Sequence, residues 1–297
     1  MTDTTMRGVF AVSTTPFRRD GEQDLDVYTE GVQRVIDAGV DGILALGATG
    51  EALALDPGER EAQVRRLVEV VDGCVPVVVG CMGYRPEEVS AMIADAHRWG
   101  ASAAMVTPSF YGGLRPGDAA AALEPVLERA EVSIMLYNNP GSTGVDLSPA
   151  HLLRLARHES LWSVKETSGE ATRVRELREE LGDRVEVFIG ADGLALEGLT
   201  QGASGWVAAS AWLAPTPCVD LWRAADEGRW GDAVRIWDGL AGPLGRIESD
   251  PAFVSLIKRA LGELGLEQGP VRPPLPTASD EVVASVLSAL RSLAGAY

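Results

Sequence analysis

The chain has 297 residues, 46% hydrophobic and 23% charged, with 33 Gly and 17 Pro. That composition excludes a disordered or collagen-like polymer and leaves enough apolar side chains for a large core. Its 26 basic and 43 acidic residues give a formal charge of −17, so long-range repulsion argues against nucleic acid and anionic membranes as partners.

The three cysteines, Cys74, Cys81 and Cys218, lack CxxC spacing and fall in apolar stretches. They predict reduced, buried thiols in a cytoplasmic chain rather than a disulfide frame or a zinc site. No apolar run reaches the roughly 18 residues of a membrane span, and the start from Met1 to Arg7 lacks the basic-then-apolar order of a secretory signal.

In chain order, short β-branched runs occupy residues 9–14, 42–47, 75–81, 103–107, 133–137, 161–167, 185–190 and 205–210. Between them, apolar residues fall at helical spacing, as in Val32, Val35 and Ile36, or Val64, Leu67, Val68 and Val71. Strands alternating with helices are the pattern of a parallel sheet with helical crossovers, and eight such units predict an α/β fold of the (β/α)8 TIM-barrel class. A doubly wound open sheet is the competing architecture, but no G-x-G-x-x-G follows the first strand. The barrel is expected over residues 1–228. Residues 229–297 then form a helical extension packed on it, with helices over 230–240, 251–264 and 280–293 and a Pro-rich linker at 270–276.

Only Lys165 and Lys258 are lysines among the 26 basic residues. Lys258 lies beside Arg259 on a helical stretch, which predicts a solvated surface side chain. Lys165 instead interrupts the apolar strand Leu161-Trp162-Ser163-Val164-Lys165-Glu166-Thr167. Alternation puts Ser163, Lys165 and Thr167 on one face and Trp162 and Val164 on the other. With the bulky face against the helices, Lys165 points into the lumen near the strand's C-terminal end, where barrel enzymes keep their catalytic groups. A desolvated amine loses its proton readily and can attack a ketone to form a Schiff base, which arginine cannot do. Structural pairing with Glu166 or another carboxylate is the alternative.

Tyr137 ends the preceding strand, so its phenol could relay protons during imine formation or simply cap the core. Tyr111, in the rim loop after strand 4, offers a second phenol. Gly47-Ala48-Thr49-Gly50-Glu51 after strand 2 is either a nest of N–H groups for a carboxylate or a tight strand-to-helix turn. No Lys-Ser/Thr follows it, which excludes a phosphate P-loop. His97, His151 and His158 lie in helical stretches, so neither a histidine triad nor a metal site is expected.

Together, Gly47-Ala48-Thr49-Gly50-Glu51, Tyr137-Asn138-Asn139-Pro140 and Val164-Lys165-Glu166-Thr167-Ser168-Gly169 resemble the dihydrodipicolinate synthase and N-acetylneuraminate lyase family. Thr14-Thr15-Pro16-Phe17, Thr107-Pro108, Gly190-Ala191-Asp192 and Gly202-Ala203-Ser204-Gly205 extend the resemblance along the chain. It implies a barrel with a helical extension, assembled as a dimer of dimers. It also implies a lysine that forms an imine with pyruvate or another 2-oxo acid, with no metal or dissociable cofactor.

Position by position, Lys165 matches the Schiff-base lysine and Tyr137 the proton-relaying tyrosine. Ala48 and Thr49 match the loop that holds the 2-oxo acid carboxylate, and Tyr111 resembles a tyrosine reaching a neighbouring subunit's site. Thr167, Asp192 and Ser210 are expected to hydrogen-bond an acceptor.

Dihydrodipicolinate synthases carry a threonine at the position of Ala48 and an arginine near Ser142, and sialic acid lyases an acidic residue at Gly193. These departures point to pyruvate and a small aldehyde rather than to lysine-pathway synthesis or a long sugar acid. Residues 137–146, 165–170 and 195–198 look closest to members that open and deaminate a hydroxy-pyrroline carboxylate, which keeps a Schiff-base dehydratase or deaminase as an alternative. A non-catalytic relative that binds a 2-oxo acid is the alternative from another class.

Overall fold

The computed structural model describes residues 6–294. Eight strands, β1 (Gly8–Val12), β2 (Gly42–Ala45), β3 (Val77–Gly80), β4 (Ala103–Val106), β5 (Ser133–Asn138), β6 (Leu161–Glu166), β7 (Glu186–Ile189) and β8 (Gly205–Ala208), pair in sequence order. The ring closes where β1 pairs with β8, and every pairing is parallel. Each strand lies within two residues of its expected limits. This is the (β/α)8 barrel read from the alternation.

Outward-facing strand residues such as Val9, Ala11, Ile43, Ala45 and Val164 pack against the surrounding helices, whereas Phe10, Val12, Leu44, Met105, Met135 and Phe188 fill the lumen. Phe10 and Phe188 meet edge to face at 5.4 Å. Glycines on neighbouring strands make room for them: a Cβ on Gly42 would lie 2.3 Å from the Phe10 ring, and one on Gly205 2.6 Å from Phe188. The lumen is therefore plugged below its C-terminal rim, and chemistry is confined to the rim.

Strict alternation fails at one point. Leu161 lies opposite Ile134 but Ser163 opposite Met135, so an irregularity at Trp162 interrupts the β5–β6 ladder. Trp162 consequently turns to the lumen aromatics, with its ring 6.1 Å from Phe10 and 5.5 Å from Phe188, not to the helices as alternation predicts. Beyond this point the order resumes, with Val164 outward and Lys165 inward.

The C-terminal helices span Trp230–Ser249, Phe253–Glu263 and Asp280–Ala294. The first runs well past the expected end at residue 240, because it continues through Gly242 and Pro243. A proline inside a helix removes one backbone hydrogen bond. Here the burial of Leu240, Pro243, Leu244 and Ile247 along one stripe outweighs that loss. No helix among the described residues is long and apolar enough to cross a membrane.

Two further expectations are corrected. Cys74 is exposed, in the turn after the helix Pro57–Val71, while Cys81 and Cys218 are buried; all three are unpaired. Lys258 is not at the surface: it is 1% exposed. Nearly every residue of its helix from Val254 to Leu261 is buried, so the neighbouring Arg259 is a poor guide to where Lys258 points.

The Lys258 ammonium donates to Glu51 Oε1 at 2.8 Å, to the Thr15 carbonyl at 2.8 Å and to the Pro270 carbonyl at 2.7 Å. Glu51 Oε2 accepts from the Arg272 N–H at 2.7 Å. Burial pushes the Lys258 pKa down, against the pull of Glu51. This knot fastens the loop after β2 to the C-terminal extension.

Candidate active site

Lys165 stands on β6 directly opposite Tyr137 of β5, 6% exposed. Its Nζ lies 4.1 Å from the centroid of the Tyr137 ring, and the Tyr137 hydroxyl accepts from Asn139 Nδ2 at 2.7 Å. Room for the lysine comes from Gly190 on the adjacent strand end, where a Cβ would fall 2.6 Å from Lys165 Cε.

The carboxylate next in sequence points the other way. Glu166 accepts from Asn138 Nδ2 at 3.0 Å and from the Ser168 N–H, and burial raises its pKa. Asn138 also donates to Asp146, which Arg173 grips with two hydrogen bonds of 2.9 and 3.1 Å. This network braces the ends of β5 and β6 from behind, which fixes Tyr137 and Lys165 relative to each other. Pairing of Lys165 with Glu166, the alternative left open by the sequence, is not what the structure has.

Lys165 and Tyr137 line a chamber of about 300 Å³ at the C-terminal rim, together with Ala48, Thr49, Thr167 and Asp192. Hollows of about 720 and 580 Å³ lie beside the last helix and include none of these residues, and one of about 340 Å³ shares Ala48 and Tyr137 but not Lys165. The chamber is identified by its chemistry, not its size. On β2's side, the turn uses the N–H groups of Gly50, Glu51 and Ala52 to bind the carbonyls of Gly47 and Ala48. The N–H groups of Ala48 and Thr49 stay outside those internal bonds. In the closed ring β2 is diametrically across from β6, so the turn and Lys165 line the chamber from opposite strands.

Asp192 forms the wall beside β7. Its Oδ1 accepts from Trp206 Nε1 at 2.9 Å and its Oδ2 from the Ser210 N–H at 2.8 Å. Burial, reinforced by the nearby charge of Glu248, pushes the Asp192 carboxyl up to about 6. Thr167 Oγ1 is buried with no partner among the described residues. Ser210 is fully buried behind Asp192, its hydroxyl 3.8 Å from Cys218 Sγ; it holds Asp192 and does not itself line the chamber. Tyr111 is 79% exposed and outside the chamber of its own chain.

One wall residue was missed by the sequence reading. Glu248 enters the chamber from the helix Trp230–Ser249, accompanied by Ile247, with Phe253 following from the next helix. Its Oε2 accepts from the Gly193 N–H at 2.7 Å, and burial raises its pKa. The apolar spacing Leu240, Leu244, Ile247, read through Pro243, would have found it. The three histidines stand away from the chamber, His97 and His151 on helices and His158 in a bend.

The model of the dihydrodipicolinate synthetase family matches residues 5–293. Curated 4-hydroxy-tetrahydrodipicolinate synthases are similar over almost the whole chain. That of Phenylobacterium zucineum is 31% identical over 291 residues, 98% of each chain, and that of Methanosphaerula palustris 31% identical over 299 residues, 98% of this chain and 99% of its own. Among solved structures, a monomeric dihydrodipicolinate synthase variant superposes with a TM-score of 0.92 at 27% identity, covering 98% of both chains. The pyruvate complex of the chloride-inhibited dihydrodipicolinate synthase from Acinetobacter baumannii gives 0.91 at 27% identity, covering 98% of this chain and 99% of that one. With a lone lysine beside a tyrosine on the rim of a closed eight-stranded barrel, and a family match from end to end, the chain belongs to the dihydrodipicolinate synthetase family of aldolase-type lyases.

Proposed function

We propose that this lyase joins pyruvate, or a related 2-oxo acid, to a small aldehyde, or cleaves the corresponding product, through an imine on Lys165. The observation that carries the reading is Lys165 Nζ held over Tyr137 in the same chamber as Ala48 and Thr49. The amine attacks the C2 ketone to give a carbinolamine, and loss of water gives the iminium. Loss of a C3 proton makes an enamine, whose carbon attacks the aldehyde; hydrolysis then returns Lys165 and releases product. Tyr137 moves the protons between nitrogen and oxygen, and the turn after β2 anchors the carboxylate. Borohydride with pyruvate tests the reading directly, by asking whether a reduced three-carbon adduct forms on Lys165.

Removing the relay should slow chemistry without loosening binding. Tyr137→Phe is expected to lower kcat about 100-fold or more, the usual range for a positioned acid–base group, with little change in KM for pyruvate. Steady-state kinetics with a retained kcat would remove Tyr137 from the mechanism.

The curated relatives' name, 4-hydroxy-tetrahydrodipicolinate synthase, is not carried to this chain. Two features support another acceptor. Ala48 has no hydroxyl to join a relay, and the position near which the family places an acceptor-binding arginine holds Ser142. Among the described residues no guanidinium lines the chamber, while the Asp192 carboxylate does. An acceptor with its own carboxylate finds no bidentate partner there. Aspartate semialdehyde is expected to condense with bound pyruvate about tenfold or more less efficiently than a hydroxylated aldehyde of similar length, by kcat/KM. Efficient condensation with aspartate semialdehyde would refute this assignment.

A second reading, an imine-assisted dehydratase or deaminase, draws support from Asp192, a buried carboxyl on the chamber wall whose pKa is raised to about 6, within reach of proton exchange at mildly acidic pH. Ammonia released from a hydroxy-pyrroline carboxylate without aldehyde formation would favour it. In both readings the iminium is the electron sink, so we assign no metal or dissociable cofactor. Activity should survive chelator at full rate, and loss restored by a divalent ion would overturn that.

The reading also includes assembly as a dimer of dimers, supported by the exposed Tyr111 and by the family resemblance, and a cytoplasmic location, supported by the three unpaired thiols.

A further inference from the structure

We propose that Glu248 selects the distal end of the substrate, favouring a group that donates hydrogen bonds, a hydroxyl or an ammonium, over a carboxylate. The inference rests on the Schiff-base reading of the same chamber. Because Trp230–Ser249 continues through Pro243, the extension delivers a carboxylate onto the chamber wall beside Asp192.

The position is shaped for that carboxylate. Gly193 donates its N–H to Glu248 Oε2 at 2.7 Å, and a Cβ on Gly193 would lie 3.0 Å from the same oxygen. A side chain at residue 193 would crowd that oxygen and push it back by a few tenths of an ångström. Glu248 is solvent-exposed at the chamber mouth, as an incoming substrate requires. Its neighbours on the wall are Asp192, whose two oxygens already accept from Trp206 and Ser210, and Thr167, whose buried hydroxyl has no partner among the described residues.

Lys165 is the only cation lining the chamber among the described residues. In the imine its nitrogen is committed to substrate, while the 2-oxo acid carboxylate is assigned to the turn across the barrel. A distal carboxylate would therefore meet two carboxylates of like charge. A hydroxyl or ammonium would instead make charge-assisted hydrogen bonds to Glu248. The upward pKa shifts of Asp192 and Glu248 fit a pair waiting for a donor.

The test uses the full chain with pyruvate and three aldehydes of one length, 3-hydroxypropanal, 3-aminopropanal and 3-oxopropanoate. The parent should prefer at least one of the first two over the third by kcat/KM. Glu248→Gln, which keeps shape but not charge, should reduce that preference about tenfold. A loss confined to 3-aminopropanal identifies an ammonium as the natural distal group, and a loss for 3-hydroxypropanal identifies a hydroxyl.

Borohydride trapping of pyruvate on both proteins separates the two levels of inference. No adduct on the parent sinks the Schiff-base reading itself. Adducts on both with an unchanged preference sink only the role of Glu248, as does a parent that turns over none of the three aldehydes or favours 3-oxopropanoate.

Discussion

Replacing Lys165 with alanine should abolish turnover to the assay floor, while the variant still folds and unfolds like the parent. Treated with pyruvate and borohydride, the parent should carry one reduced adduct and the variant none. The chain makes this experiment unusually clean, since Lys258 is the other lysine and its ammonium is enclosed by Glu51, Thr15 and Pro270. Arginines cannot substitute, because a guanidinium stays protonated and offers no nucleophilic lone pair. Peptide mapping that finds the adduct on Lys258, or a Lys165→Ala enzyme with parental kcat, would end the assignment.

The second large effect concerns stability. Lys258→Met removes one member of an ion pair whose side chains are both inaccessible to water, leaving the Glu51 carboxylate buried without its counter-charge. Breaking such a pair costs about 3–5 kcal/mol, read as a lower midpoint in urea unfolding at neutral pH. Lys258→Met combined with Glu51→Gln should recover more than half of that loss, since the amide can still accept from the Arg272 N–H and no charge is stranded. A single variant within about 1 kcal/mol of the parent would contradict the account. If the turn ended by Glu51 anchors the carboxylate as proposed, the single variant should also raise KM for pyruvate.

What could be read in advance follows from how regular each element is. The eight strands and the inward Lys165 were legible because a fully buried parallel sheet writes itself as short apolar runs, and a lysine inside one is conspicuous in an arginine-biased chain. Trp162 was placed on the wrong face because the irregularity beside Met135 has no mark in the sequence. Glu248 was missed because Gly242-Pro243 is an ordinary helix-ending signal, overruled by packing the local sequence does not display. Lys258 was misjudged because amphipathic reasoning assumes a helix with a wet side, and the helix Phe253–Glu263 is dry almost all round. Ser210 was read as an acceptor ligand, but it is fully buried behind Asp192 and lies one layer deeper than a hydroxyl meant for substrate.

The knot around Glu51 has a consequence for the order in which the protein can be made. All eight strands are synthesised by residue 208, yet the turn after β2 waits for Lys258 and for the Arg272 N–H. Arg272 further ties Glu59, the Ala54 carbonyl and the Gly21 carbonyl, while Gln268 receives the Thr14 hydroxyl and the Phe17 N–H. A nascent chain on the ribosome can therefore close its barrel while the turn after β2 still lacks these partners. A fragment ending after the barrel would likewise leave Glu51 without its ammonium partner and without the Arg272 N–H.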